Sequence, residues 1–171
     1  MPLTERLSSR VAAEALALAG SEPRGVPAVI DTNVVLDLIY WEDPHSEDLR
    51  RALEEGRIHA LRSGEAVMEL AEVLSRPAFT GDEDEAARLA ALWCSMSVPV
   101  DEEKIREAAD VITVQCRAPL DQKFFTLTLA GGAKLLVSQD KLVLKAGRKM
   151  KRYGACAFRP EETAARLDAL S

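Results

Sequence analysis

Histidine, cysteine and aromatic residues are all scarce in this chain, and it has no long apolar run. His45 and His59 stand at no ligand spacing from Cys94, Cys116 or Cys156, which excludes a structural zinc centre. Three widely spaced cysteines make no disulfide framework and read as reduced thiols in a cytoplasmic setting, packed as small apolar residues. No segment nears eighteen consecutive apolar residues, so no membrane-spanning helix is expected. The stretch VAAEALALAG looks like a signal-peptide core, but Glu14 interrupts it and Glu5 lies where a basic leader would be. Aromatics at 5% leave few platforms on which bases could stack. A net charge of -6 excludes coating nucleic acid by bulk charge, though not through a local basic patch.

What the chain does have is enough apolar sequence, in 171 residues, for one domain with a short addition. Thr4 caps an amphipathic helix carrying Leu7, Val11, Ala12, Ala15, Leu16 and Leu18, whose stripe must cover the domain or a partner. A linker over Gly20–Pro27 follows, so residues 1–26 form a helix-and-linker addition and residues 27–171 the main domain. Short apolar strands are expected at Ala28–Asp31, Ile58–Leu61, around Val98, at Lys134–Ser138 and at Ala155–Phe158. Longer amphipathic helices separate them, including one with Val34, Leu38 and Trp41 on its stripe and one capped by Ser63. This alternation predicts an α/β sandwich around a small, mostly parallel sheet. In such sheets ligands bind beyond the carboxyl ends of the strands, at the switch point.

Two strands end on acids there, Asp31 and Asp140, while Asp121 opens a helix and Glu69 lies on a helix edge shared with Glu65 and Val73. Asp31 and Asp121 are also natural helix-terminal acids, and Glu69 alone would be an ordinary solvated acid. Four converging carboxylates would repel strongly unless a hard divalent cation joined them, and such an ion serves phosphate chemistry.

The strings VIDTNVVLDLI, ELAEVLSRPAF and CRAPLDQKFFTLTLAGGAKLLVSQD resemble, in order, the PIN-domain family. The resemblance is to PIN proteins described as toxin components of toxin–antitoxin systems, and it spans roughly Ala28–Leu167. It implies a PIN-like three-layer α/β/α sandwich, Mg²⁺ or Mn²⁺ held by Asp31, Glu69, Asp121 and Asp140, and metal-dependent hydrolysis of RNA phosphodiesters. Asn33 and Ser138 fall on positions that orient those acids. The chain departs from the family pattern at Ala118, Leu120 and Gln122, where acids are usual, and at Leu142.

The run Lys141–Arg152 carries six cations and no acid, leaving -12 on the remainder. Lys141, Lys145, Arg148 and Lys149 are the expected RNA contacts, flanking the acids. The plainer reading of the run is a solvated helix end. An acidic antitoxin segment would compete for the same cations. Trp93, Cys94 and Met96 read as core, or as the seam of an expected homodimer, and Tyr40 and Trp41 as packing or as a base platform. A non-catalytic PIN-like module that binds RNA or protein is the alternative to the nuclease. A phosphoacceptor domain fits less well, since Asp31 is followed by Thr32 and Asn33 rather than by a second acid.

Overall fold

The computed structural model describes residues 3–170. Five strands, β1 (Val26–Ile30), β2 (Ile58–Arg62), β3 (Ser97–Pro99), β4 (Leu135–Val137) and β5 (Cys156–Phe158), form one sheet in the order β3-β2-β1-β4-β5. Every pairing is parallel, with Val29 facing Leu61 on one side and Leu136 on the other. The central strands are apolar on both faces because helices cover both, as the three-layer reading requires. Ala28, Ile30, Leu135 and Val137 face a core built with α1 (Glu5–Glu14), α2 (Thr32–Leu36), α3 (Glu47–Glu54), α4 (Gly64–Ser75), α5 (Glu83–Ser95) and α9 (Thr163–Ala169). Val29, Leu61 and Leu136 face the opposite core, with Phe124, Phe125 and Leu127 of α7 (Gln122–Ala130), Val143 of α8 (Lys141–Gly147), and Ile105 of α6 (Glu102–Val111) at its edge.

Local sequence explains most helix starts. Thr4 accepts a hydrogen bond from the Leu7 amide at 3.1 Å, and Ser63 from the Ala66 amide at 3.2 Å. Most of the α1 stripe is covered within the chain: Leu7, Val11 and Ala15 are buried beside α4 and α5, while Ala12 and Leu18 lie outside. Trp93 and Cys94 are likewise buried in the core, so they form no seam on the surface. The 20–27 segment differs from a plain linker. Val26 and Pro27 already belong to β1, and a Cβ on Gly20, at φ +83°, would stand 1.8 Å from the Ser97 carbonyl.

Arg62, at the end of β2, is 2% exposed and makes no ion pair among the described residues. Its guanidinium donates to the carbonyls of Cys94, Ser97 (2.8 Å) and Leu18, tying the segment after α1 to α5 and β3. Burial pushes its pKa down, yet three carbonyl dipoles suffice to hold the charge.

The strip after β1 also departs from the periodic reading. Past Leu36 the helix widens into a π-helical turn over Asp37–Trp41, and the chain leaves it at Glu42 with φ +51°. The extra residue per turn rotates Trp41 off the Val34–Leu38 stripe and leaves it 56% exposed.

Candidate metal-binding cleft

Chain direction sets where a ligand can enter. From β1 the sheet grows towards β2 and β3, and then resumes on the other side of β1 with β4 and β5, so the switch point lies between the carboxyl ends of β1 and β4. Beyond those ends opens a cleft of about 350 Å³. Asp31, Asn33, Glu69, Asp121 and Asp140 all line it, with Thr32, Val73, Arg76, Phe79 and Leu120. The four acids come from four separate segments: the β1 end, the middle of α4, the turn before α7, and the β4–α8 junction.

Asp31 is 3% exposed. One carboxylate oxygen accepts the Val34 amide at 3.1 Å, so Asp31 caps α2 while it lines the cleft. The other accepts the Ser138 hydroxyl. Ser138 is fully buried and its oxygen also accepts the Asp140 amide at 3.0 Å, so one hydroxyl fixes the spacing of the two strand-end acids. Asp140 in turn caps α8 through the Leu142 amide at 2.8 Å. Asn33 is exposed on the cleft wall and, among the described residues, its side chain makes no hydrogen bond to the acids.

The electrostatics show that these carboxylates feel one another. Burial, opposed by the Ser138 and Val34 hydrogen bonds and reinforced by Asp121 and Asp140, raises the Asp31 pKa from 3.8 to about 6. Asp121 is raised too, first by burial and then by Asp140, with Glu69 adding to the effect and Lys123 opposing it. Repulsion of this kind is the mark of a site short of positive charge.

Part of that shortfall is met from within. Lys123, one residue into α7, places Nζ 2.6 Å from Glu69 Oε2 and also donates to the Leu120 carbonyl. Glu69 is thereby engaged by an ammonium group, and among the described residues no three His, Cys, Asp or Glu side chains are gathered closely enough to hold an ion as they stand. Lys123 was legible only as part of the DQKF string, and Arg76 and Phe79 only as part of SRPAF; neither string singled them out by charge or periodicity. Gln122, where an acid is usual, has a structural reason. Its amide accepts from the Cys116 N–H at 2.8 Å and donates to the Val114 carbonyl at 2.9 Å, a pair of bonds that a carboxylate could not make. Leu120 stands 77% exposed on the cleft lip.

The basic run lies apart from the cleft wall. Lys141, Lys145, Arg148, Lys149, Lys151 and Arg152 are all exposed, and among the described residues none is ion-paired. Lys141 adjoins Asp140, but Arg148 and Lys151 line a separate groove along β5 with Arg159 and Arg166. The only cations lining or reaching into the cleft, among the described residues, are Arg76, held to Glu72 at 2.7 Å, and Lys123.

Residues 27–142 match the PIN domain as a sequence family. The chain belongs to the PIN-domain family, whose members are generally nucleases. Its fold is similar to a chain in the crystal structure of VapBC2 from Rickettsia felis bound to a DNA fragment from their promoter, with a TM-score of 0.52 and 14% identity, covering 78% of this chain and 98% of that one. No curated protein sequence matches it. No helix among the described residues is long and apolar enough to cross a membrane.

Proposed function

We propose that the chain is a metal-dependent ribonuclease acting on RNA phosphodiester bonds, and the toxin component of a toxin–antitoxin pair. The observation that carries this reading is the convergence of Asp31, Glu69, Asp121 and Asp140 on one cleft at the switch point of a PIN-domain sheet. The donor set fits Mg²⁺ or Mn²⁺: all oxygen and negatively charged, with the pKa values of Asp31 and Asp121 raised first by burial and further by the neighbouring carboxylates. When bound, the ion would neutralise charge developing at phosphorus and make water a usable nucleophile at neutral pH.

The chain's own residues prepare that chemistry. Ser138 holds the Asp31 carboxylate against the Asp140 backbone, which sets the orientation of the first strand-end acid. Lys123 balances Glu69 while the cleft lacks an ion and must withdraw for Glu69 to act as a ligand. Lys141, next to Asp140, and Lys145, Arg148 and Lys149 further along the run are exposed and, among the described residues, not ion-paired; they would hold the RNA backbone as it leaves the cleft, and an acidic segment of an antitoxin would compete for them. A soluble, cytoplasmic setting suits such a pair.

The test is cleavage of single-stranded RNA with Mn²⁺ and in excess EDTA. Products with 5′-phosphate and 3′-hydroxyl ends, lost in EDTA and in Asp140→Asn, support the reading. Equal cleavage in EDTA, or 2′,3′-cyclic ends, contradicts it. The engagement of Glu69 by Lys123 favours one second reading, a PIN-like module that binds RNA or protein without cutting. Calorimetry separates the two, since absence of heat at millimolar Mn²⁺ supports the non-catalytic module.

A further inference from the structure

Seven of the chain's eight aromatic residues are either buried or gathered at one place. Trp93, Phe124, Phe125 and Phe158 are core. Tyr153 is held by Thr113 through its hydroxyl at 2.9 Å and 3.0 Å. The remaining three, Tyr40, Trp41 and Phe79, prop one another, with ring centroids 4.7 Å apart for Tyr40–Trp41, 5.5 Å for Tyr40–Phe79 and 5.7 Å for Trp41–Phe79. Packing alone does not account for this cluster, because Trp41 keeps 56% of its surface in water.

Two features connect the cluster to the acid cleft. Phe79 belongs to both, lining the cleft beside Arg76 and Glu69 while its ring meets Trp41. The π-helical turn after α2 is what swings Trp41 outward, and α2 itself is capped by Asp31. Tyr40 and Trp41 therefore continue the helix that Asp31 caps, and Phe79 follows α4, the helix that carries Glu69. A propped, half-exposed indole loses little freedom when a second flat ring settles on it, and base–aromatic stacking is strong because every base has a π face. Arg76 lines the same cleft as Phe79, so a guanidinium is available there to a phosphate of a strand stacked on the rings.

We infer that the Tyr40–Trp41–Phe79 ledge is a stacking subsite for an unpaired nucleobase of a single strand whose neighbouring phosphate lies at the acid cleft. The inference rests on the ribonuclease reading for the strand's direction into the cleft, but the stacking is independent of cleavage. A base paired in a duplex offers no free face, so the ledge discriminates against double strands.

The probe is an eight-residue single-stranded oligoadenylate, titrated in EDTA and low salt against the intact protein while tryptophan emission is followed. Trp93 is buried and supplies a constant background. The single strand should quench the Trp41 share of the emission, and the same oligonucleotide annealed to its complement should quench it far less. Trp41→Leu keeps an apolar surface but no ring; it should lose the quenching and bind the single strand about tenfold more weakly. Trp41→Phe should recover most of the affinity. Unchanged affinity in Trp41→Leu, or equal quenching by the duplex, overturns the inference. So does a wild-type dimer that Trp41→Leu converts to monomer, since the ledge would then be covered by a second copy. Stacking without any Mn²⁺-dependent cleavage would leave the ledge standing and overturn only the nuclease; cleavage with no effect of Trp41→Leu on binding would do the reverse.

Discussion

Asp31→Asn should stabilise the metal-free protein, and by an amount that the burial of Asp31 sets. Its carboxyl rises from 3.8 to about 6 on folding, chiefly through burial. The folded state therefore prefers the proton. The contribution of this group to stability is complete below about 3.8 and is lost as pH rises through about 6. A rise of about 2 in pKa, at about 1.4 kcal/mol each, makes the buried charge cost about 3 kcal/mol at pH 8. Asparagine removes that charge and still accepts the Val34 amide as a helix cap. It cannot accept the Ser138 hydroxyl equally well, which returns about 1 kcal/mol of the gain. The net, about 2 kcal/mol, corresponds to a Tm about 4–8 °C higher for a domain of this size. Thermal melts in EDTA at pH 8 and pH 4 read this directly: the advantage of the variant should be present at pH 8 and gone at pH 4. A variant no more stable than wild type at pH 8 would refute the argument that Asp31 is held at an energetic cost.

Other expectations follow from the same geometry. Lys123→Met should tighten Mn²⁺ binding about fivefold by calorimetry, because releasing Glu69 from a half-buried ion pair no longer costs about 1 kcal/mol; weaker binding would mean that Lys123 assists the ion rather than competing with it. Arg62→Met should lower stability by about 3 kcal/mol in urea melts, since two buried carbonyls and one part-buried carbonyl lose a charged donor, and should open the 16–25 segment to protease. A stable, protease-resistant variant would show that the clamp is dispensable. Reversing Lys145, Arg148 and Lys149 to Glu should weaken RNA binding for all sequences, with each lost phosphate contact removing about 0.7 from the log–log salt slope on a single strand. An unchanged slope would leave the run as a solvated helix end.

The sequence discloses the cleft better than it discloses its surroundings. Asp31 and Asp140 are legible because an apolar strand that ends on an acid carries its own direction, and parallel strands deliver both ends to one edge. Glu69 is legible only through the resemblance; helical spacing alone places it on a mixed edge, where it does lie, one turn before Val73 on the cleft wall. Trp41 is misplaced by a strict 3.6-residue period because no local signal marks the π-helical turn. Arg62 and Lys123 are illegible for a different reason: their partners are backbone carbonyls and a distant helix, fixed only when the layers close.

The direct test of the four-acid site is anomalous diffraction from crystals soaked in Mn²⁺. A manganese peak is expected in the cleft, within coordination distance of at least three among Asp31, Glu69, Asp121 and Asp140, with Lys123 withdrawn from Glu69. A cleft without a peak at millimolar Mn²⁺, with the Lys123–Glu69 pair intact, would contradict it.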